Sequence, residues 1–264
     1  MMTINQALLD EVVAIAEEAG RAIMTIYARD FSVEEKADKS PLTEADQTAH
    51  DLISERLVPL LGGIPILSEE DVEGFPGADA AGRYWLVDPL DGTKEFIKKN
   101  GEFTVNVALI ESGRPILGVV HAPDLDRTYI GWPEEGAWRV DGDGTRPITV
   151  AGEHDGPWRV VGSRSHASPK MADWLAELGE HEMVPMGSSL KLCLVAEGAA
   201  DVYPRLGPTS LWDTGAAQAV VEAAGGQVIE SSGDVLCYAD TSEVLNPHFL
   251  AFGRHVNQWP ALGE

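Results

Sequence analysis

Apolar residues recur at three- and four-residue spacings from the start of the chain. Ile4, Leu8, Val12, Ile15, Ala19, Ile23 and Ile26 fall on one helical face. That period predicts a long amphipathic helix from about Ile4 to Ala28. A polar connector follows from Lys36 to Pro41. Thr43, with Asp46 three residues on, then predicts a capped second helix that buries Ala49, Leu52, Ile53 and Leu57. Beyond it the period shortens. Ile64 to Leu67 and Tyr84 to Val87 are short apolar runs. Phe103 to Ile110, Ile116 to His121, Arg127 to Trp132 and Gly136 to Val140 are β-rich and separated by turn residues, which predicts an antiparallel meander. Asp141-Gly142-Asp143-Gly144 reads as a hairpin turn, because the ligand spacing of a calcium loop stops there and no terminal Glu follows.

Ala151 to Pro157 carries glycines and a proline with no apolar period and reads as a boundary. After it, short strands and helices alternate as in a layered α/β unit. Trp158 to Val161, Glu182 to Pro185, Gln227 to Glu230 and His248 to Phe252 are predicted strands. Ser188 to Glu197 and Trp212 to Ala224 are predicted helices, the second stopped by Gly225-Gly226.

With 44% apolar residues, the 264-residue chain can bury a sizeable core. Nineteen basic against 43 acidic residues leave a net charge of −24, which argues against nucleic acid as a partner. The same charge repels an anionic substrate at long range, so metals and basic side chains must reverse the field locally at any phosphate site. Cys193 and Cys237 stand far apart in apolar stretches without Cys or His neighbours at ligand spacing. They read as buried, reduced thiols rather than a zinc site. Met1 to Gln6 shows no basic segment followed by an apolar core, so no signal peptide is expected. No apolar run approaches the ~20 residues of a transmembrane helix.

The chemistry concentrates at Trp85-Leu86-Val87-Asp88-Pro89-Leu90-Asp91-Gly92-Thr93-Lys94-Glu95. A predicted strand delivers two carboxylates three residues apart, which are suitable ligands for a hard dication such as Mg²⁺. Gly92 and Thr93 then open a predicted helix, where backbone N–H groups favour a phosphate. Asp-Pro-Leu-Asp-Gly also has the composition of a plain polar turn. Three further acids stand at element ends, each with a plain alternative. Asp46 suits a capping box, Glu69 a solvated loop, and Asp213 the first turn of a helix, where it complements the dipole.

Taken together, Leu42-Thr43-Glu44-Ala45-Asp46, Ser68-Glu69-Glu70-Asp71, Asp88 to Thr93 and Trp212-Asp213 resemble, in order and spacing, the inositol monophosphatase superfamily of metal-dependent, lithium-inhibited phosphomonoesterases. Gly101 to Asn106, Gly162-Ser163-Arg164-Ser165-His166, Gly187-Ser188-Ser189-Leu190-Lys191 and Tyr203-Pro204-Arg205 are most similar to its CysQ-type 3′(2′),5′-bisphosphate nucleotidase branch. One departure is Gly215-Ala216-Ala217 after Asp213-Thr214, where the family usually has Ala-Ala-Gly or Ala-Gly-Ala.

The resemblance implies a layered αβαβα sugar-phosphatase-like fold, α+β with a mainly antiparallel sheet in residues 1–150 and mixed α/β in residues 151–264. The first part would bind metal and phosphate, and the second would contribute Asp213 and substrate contacts. Glu69, Asp88, Asp91, Asp213 and the Leu90 carbonyl would hold Mg²⁺. Thr93, with either Glu69 or Asp46, would orient and deprotonate a water, and Asp46 is alternatively a ligand of a weaker third metal. Gly92, Thr93 and Lys94 would receive the scissile phosphate. Ser163, Arg164, His166, Ser188, Lys191 and Arg205 would meet the rest of the substrate. The implied reaction removes the 3′-phosphate of adenosine 3′,5′-bisphosphate, a by-product of sulfate activation. An inositol or sugar phosphatase is the alternative, and a non-catalytic cation-binding protein a third reading. A cytoplasmic monomer or homodimer fits the sequence, as does a peripheral position at the inner membrane.

Overall fold

The computed structural model describes residues 4–35, 41–152, 155–162, 168–253 and 259–263. Two helices come first. α1 (Gln6–Tyr27) is capped by the Asn5 side chain, which leaves Ile4 outside the helix. After a small hairpin of β1 (Val33–Glu35) and β2 (Pro41–Thr43), α2 (Glu44–Leu57) starts at a Thr43/Asp46 capping box. A seven-stranded sheet follows in the order β3 (Ile66–Ser68), β4 (Arg83–Asp91), β5 (Thr104–Glu111), β6 (Arg114–Ala122), β7 (Arg127–Trp132), β8 (Gly136–Asp141) and β9 (Gly144–Pro147). Only β3 against β4 is parallel; the remaining pairs form the expected antiparallel meander. The Asp141–Gly144 turn closes the β8–β9 hairpin. A short helix, α3 (Thr93–Ile97), leaves the end of β4.

The second sheet has five strands in the order β11-β10-β12-β14-β13. They are β10 (Trp158–Gly162), β11 (His181–Pro185), β12 (Val202–Arg205), β13 (Gln227–Glu230) and β14 (Phe249–Phe252). The β10 pairings are parallel and the β14 pairings antiparallel, so this sheet is mixed. Between and around its strands run α4 (Pro169–Leu178), α5 (Leu190–Ala196) and α6 (Leu211–Ala223).

Strand alternation sets the layers. Trp85 and Val87 of β4, Val105, Val107 and Leu109 of β5, and Leu117 and Val119 of β6 bury one face against α1 and α2. Tyr84, Leu86, Ala108, Ile110 and Val120 face the other way. They meet α5 and α6, on whose far side lie Val161, Tyr203, Val228 and Phe249 of the second sheet. The outer face of that sheet packs Val160, Val202, Leu250 and Phe252 against Trp174 of α4. The result is helix, sheet, helix, sheet, helix, the layering that the resemblance implies.

Helix α6 seats directly on backbone. A Cβ at Gly118 of β6 would stand 2.2 Å from the Ala216 carbonyl oxygen, and one at Gly131 of β7 would stand 2.4 Å from the Val220 nitrogen. Gly215, part of the departure from the family pattern, faces Leu86 closely enough that its own Cβ would meet Cδ2 at 2.7 Å. Gly118→Ala is therefore expected to cost about 1–3 kcal/mol, the usual range for overpacking a core. Urea denaturation of the metal-free protein measures it, and an unchanged midpoint would contradict the contact.

Several local expectations differ from the structure. The predicted helix at Ser188 begins two residues later, because Ser188 takes a left-handed φ of 45° and Ser189 is the N-cap. Cys193 is buried as expected, but Cys237 is exposed. It lies between buried Leu236 and Tyr238, and successive side chains of an extended segment face opposite ways. The sequence reading passed over α4, although Ser168 accepts a hydrogen bond from Met171 N and Pro169 opens the helix. Among the described residues, no helix is long and apolar enough to cross a membrane.

Candidate active site

The site gathers where four chain segments end. β4 carries Asp88, Leu90 and Asp91 to its C-terminal edge, and its pairing register with β5 shifts between the two acids. Pro89 has no N–H to give to the ladder, which suits such an irregularity. Asp213 comes from the first turn of α6. Oxygens of Asp88, Asp91 and Asp213 lie within 4.8 Å of one another. The segment after β3 brings Glu69, whose N–H donates to the Val87 carbonyl at 3.2 Å. His50 Nδ1 lies 2.9 Å from the Ser68 hydroxyl and so braces the same segment from α2.

A cleft of about 830 Å³ opens above this floor. Glu69, Asp88, Leu90, Asp91, Gly92, Thr93, Lys94, Ser188, Lys191, Arg205 and Asp213 all line it. Asp46 lies just behind. It is 1% exposed, with Oδ2 accepting from Thr43 N at 2.8 Å and Thr43 Oγ1 at 2.7 Å. Its other oxygen, Oδ1, takes the Thr93 hydroxyl at 3.3 Å, which also stands 3.3 Å from the Leu90 carbonyl. Both plain readings of the helix-start acids are thus correct. Asp46 and Asp213 each occupy the third position of a capping box and spend one oxygen on it.

That division recurs at every acid of the cluster. Asp88 Oδ1 accepts from Leu90 N at 3.1 Å, while its Oδ2 is buried with no hydrogen-bond partner among the described residues. Asp213 Oδ2 accepts from Ser210 N at 2.9 Å. Asp91 Oδ2 accepts from Ser189 N at 2.5 Å and Ser189 Oγ at 2.7 Å. One oxygen of each carboxylate is tied down by a backbone donor. Burial, and then the charges of Glu69, Asp91 and Asp213, hold the Asp88 carboxyl well above the ordinary carboxylate range. Burial first and Asp91 second push Asp213 up to about 7. Three crowded carboxylates with an unpartnered buried oxygen are stable as anions only with a cation among them.

The inositol monophosphatase family matches residues 5–259. The chain belongs to that family. A protein named 3′(2′),5′-bisphosphate nucleotidase CysQ from Escherichia coli O157:H7 is 50% identical over 244 residues, covering 92% of this chain and 98% of its own. The crystal structure of CysQ from Bacteroides thetaiotaomicron aligns with a TM-score of 0.81 at 37% identity, covering 94% of this chain and 97% of that one. Inositol monophosphatase from Anabaena aligns at 0.75 and 26% identity over 97% and 98%. Members of the inositol monophosphatase family are metal-dependent phosphatases that act on small phosphorylated molecules, and the all-oxygen donor set found here fits a hard divalent cation.

Of the substrate contacts that the resemblance implies, Ser188, Lys191 and Arg205 line the cleft. Ser163, Arg164 and His166 lie outside the described residues. Lys191 reaches over the Tyr203 ring, with Nζ 5.7 Å from its centroid. Arg205 lines the cleft but commits Nε to the Gly207 carbonyl at 3.2 Å and Nη2 to the Pro208 carbonyl at 2.5 Å. Glu102 and Asn106 stand in the Gly101–Asn106 string that carries the resemblance, but the sequence assigns neither a role; both are buried polar residues beside the site. Glu102 Oε2 accepts from Gly187 N at 2.8 Å. An acid just before an apolar strand and an amide within it were the available signal, since such groups are buried only where a partner waits.

Proposed function

We propose that this member of the inositol monophosphatase family is a Mg²⁺-dependent 3′(2′),5′-bisphosphate nucleotidase, hydrolysing the 3′-phosphate of adenosine 3′,5′-bisphosphate to AMP and phosphate. The observation that carries the reading is the cluster of Asp88, Asp91 and Asp213 on the floor of a cleft that also presents Lys94, Lys98, Lys191 and Arg205. In a chain of net charge −24 these four cations face Glu69, Asp88, Asp91, Glu95, Glu102, Asp213 and Glu243 on the same lining, so the local field that a phosphorylated substrate needs comes from them together with the metal. The 50% identity over 244 residues to a protein named as such a nucleotidase gives the reading its substrate.

In this proposal Glu69, Asp88, Asp91, Asp213 and the Leu90 carbonyl hold Mg²⁺. The metal, when bound, neutralises phosphate charge and lowers the pKa of water. The remaining work belongs to the chain. Thr93, already hydrogen-bonded to Asp46, orients the attacking water and passes its proton to that carboxylate. Gly92 adopts a left-handed φ of 92°, and its missing Cβ would stand 3.0 Å from the Glu102 carbonyl. The tight turn brings the N–H groups of Gly92 and Thr93, with Lys94, to the scissile phosphate. Residues 1–150 thus bind metal and the reacting phosphate, and residues 151–264 add Asp213 and the contacts that select the rest of the substrate. Ser188 and Lys191 belong to the latter, with Ser163, Arg164 and His166 before α4.

Lys191→Ala tests the substrate assignment. A charge-assisted contact to phosphate contributes about 1.5–3 kcal/mol, so kcat/KM for adenosine 3′,5′-bisphosphate should fall roughly ten- to a hundred-fold. The value for inositol 1-phosphate, which is too short to reach that side chain, should hold. Arg205→Ala is expected to impair both substrates, since its guanidinium holds the Gly207 and Pro208 carbonyls just before the capping turn of α6. A wild-type preference for inositol 1-phosphate would overturn the nucleotidase reading and leave the metal site standing.

A further inference from the structure

Ser189 sits at the junction of the two halves of the site. Its N–H and hydroxyl both meet Asp91 Oδ2, at 2.5 and 2.7 Å, and every hydrogen bond that Asp91 accepts among the described residues falls on that oxygen. The serine is 2% exposed and is itself held. Asn106 of β5, 1% exposed, donates from Nδ2 to Ser189 Oγ at 2.8 Å. With a carboxylate oxygen 2.7 Å from Oγ, the serine must donate there and accept from the amide, so the direction of the relay is fixed. The Asp213 carbonyl lies 2.6 Å from the same hydroxyl. One proton cannot serve both acceptors, and the bond to the charged acceptor is the stronger.

The surrounding backbone is shaped to place this residue. Gly187 N donates to Glu102 Oε2 at 2.8 Å, and Ser188 holds its left-handed φ of 45°, which a non-glycine residue adopts only where its surroundings impose it. A Cβ on Gly92 would stand 3.2 Å from Ser188 Cβ. The loop before α5 is thus pinned to the loop after β4 on both sides of the Asp91–Ser189 contact.

We propose that Ser189 is a positioning residue of the metal site: with Asn106 behind it, it fixes Asp91 through Oδ2 and leaves Oδ1 to the cation. A freely rotating carboxylate must lose that freedom on binding, and one held beforehand does not. The serine also links metal affinity to the segment carrying Lys191, since both belong to the same turn into α5. The proposal rests on the reading of Asp91 as a Mg²⁺ ligand.

The test is calorimetric titration of metal-free protein with Mg²⁺ in the absence of substrate, for wild type, Ser189→Ala, Ser189→Cys and Ser189→Thr. Loss of the hydroxyl should weaken Mg²⁺ roughly ten-fold, about 1.4 kcal/mol, in both the Ala and Cys variants. The Cys variant keeps the side-chain volume and stands in if Ser189→Ala does not fold. Ser189→Thr, which retains the hydroxyl, should bind within about two-fold of wild type, the margin set by that same scale. At sub-saturating Mg²⁺ the loss should appear in kcat rather than in KM for the phosphorylated substrate, and raising Mg²⁺ should recover it. Ala and Cys variants that bind Mg²⁺ as the wild type does, whatever their melting temperatures, would overturn the positioning role alone. A wild type that binds no Mg²⁺ would overturn the metal-site reading along with it.

Discussion

Asp88→Asn should abolish turnover and at the same time raise the melting temperature of the metal-free protein. Asp88 is 1% exposed, its Oδ1 accepts from Leu90 N, and its Oδ2 faces neighbouring carboxylates with no donor of its own. An asparagine keeps the first contact through its carbonyl and places an N–H₂ group where Oδ2 stood. There it can donate to Asp91 or Asp213 instead of repelling them. Each unit by which burial and like charge raise a carboxyl is worth ~1.4 kcal/mol of native-state penalty at high pH, and that penalty disappears with the charge. For a chain of this size ~1 kcal/mol corresponds to about 2–4 °C, so a gain of several degrees at pH 8 is expected. Activity should fall by at least about a hundred-fold, the upper end of the loss seen when only an outer partner of a metal ligand is removed. Thermal melts in chelator and phosphate release at saturating Mg²⁺ read the two effects. Near-wild-type turnover would remove Asp88 from the metal set, and a lower melting temperature would show that its charge is not crowded.

The second large effect is a flattening of the pH dependence by metal. Asp88 and Asp213 titrate above the ~3.9 of an unfolded aspartate, Asp213 near 7. Between those values the metal-free native state holds more protons than the unfolded chain. Stability therefore falls as pH rises through that window, by up to ~1.4 kcal/mol per unit for each group. Mg²⁺ bound as proposed would keep these carboxylates ionised and remove the extra proton uptake, so the slope should flatten. The melting-temperature gain from Mg²⁺ should be small at pH 5 and large at pH 8. The chain's many other acids also respond to pH, so the quantity to compare is the difference with and without metal at each pH, with Asp88→Asn as a control whose difference varies less. Equal gains at pH 5 and pH 8 would show that the cluster is not protonated in the absence of metal.

The carboxylates were legible in the sequence because each one ends a segment whose periodicity is clear. Asp88 and Asp91 follow an apolar strand, Glu69 follows another, and Asp46 and Asp213 open helices after a hydroxyl residue. The layering was what the resemblance implied, and alternation in the strands realises it, dividing Trp85 from Leu86 and Val105 from Ala108 between the two core faces. What periodicity does not carry is a contact between segments remote in sequence. Ser189 and Asp91 are 98 residues apart, and Ser189 and Asn106 are 83 apart. A buried serine next to apolar residues has no pattern that names its partner. Arg205 shows the converse. The Tyr203-Pro204-Arg205 string marked it as a substrate contact and it does line the cleft, but nothing in the string shows that two of its donors go to the carbonyls of its own loop.

The seating of α6 on Gly118 and Gly131 bears on how loss-of-function variants in this chain should be read. The helix that delivers Asp213 rests on β6 and β7 with no side chain interposed, so its height above the sheet is set by main-chain contact. A single methyl added beneath it lifts the helix, and with it one oxygen from a cluster only 4.8 Å across. Such a variant would keep every ligand and every substrate contact in its sequence and still be inactive. A survey that scores variants by whether the signature acids survive would pass it. The diagnostic positions for inherited or selected inactivation therefore include two glycines on the far side of a helix from the chemistry.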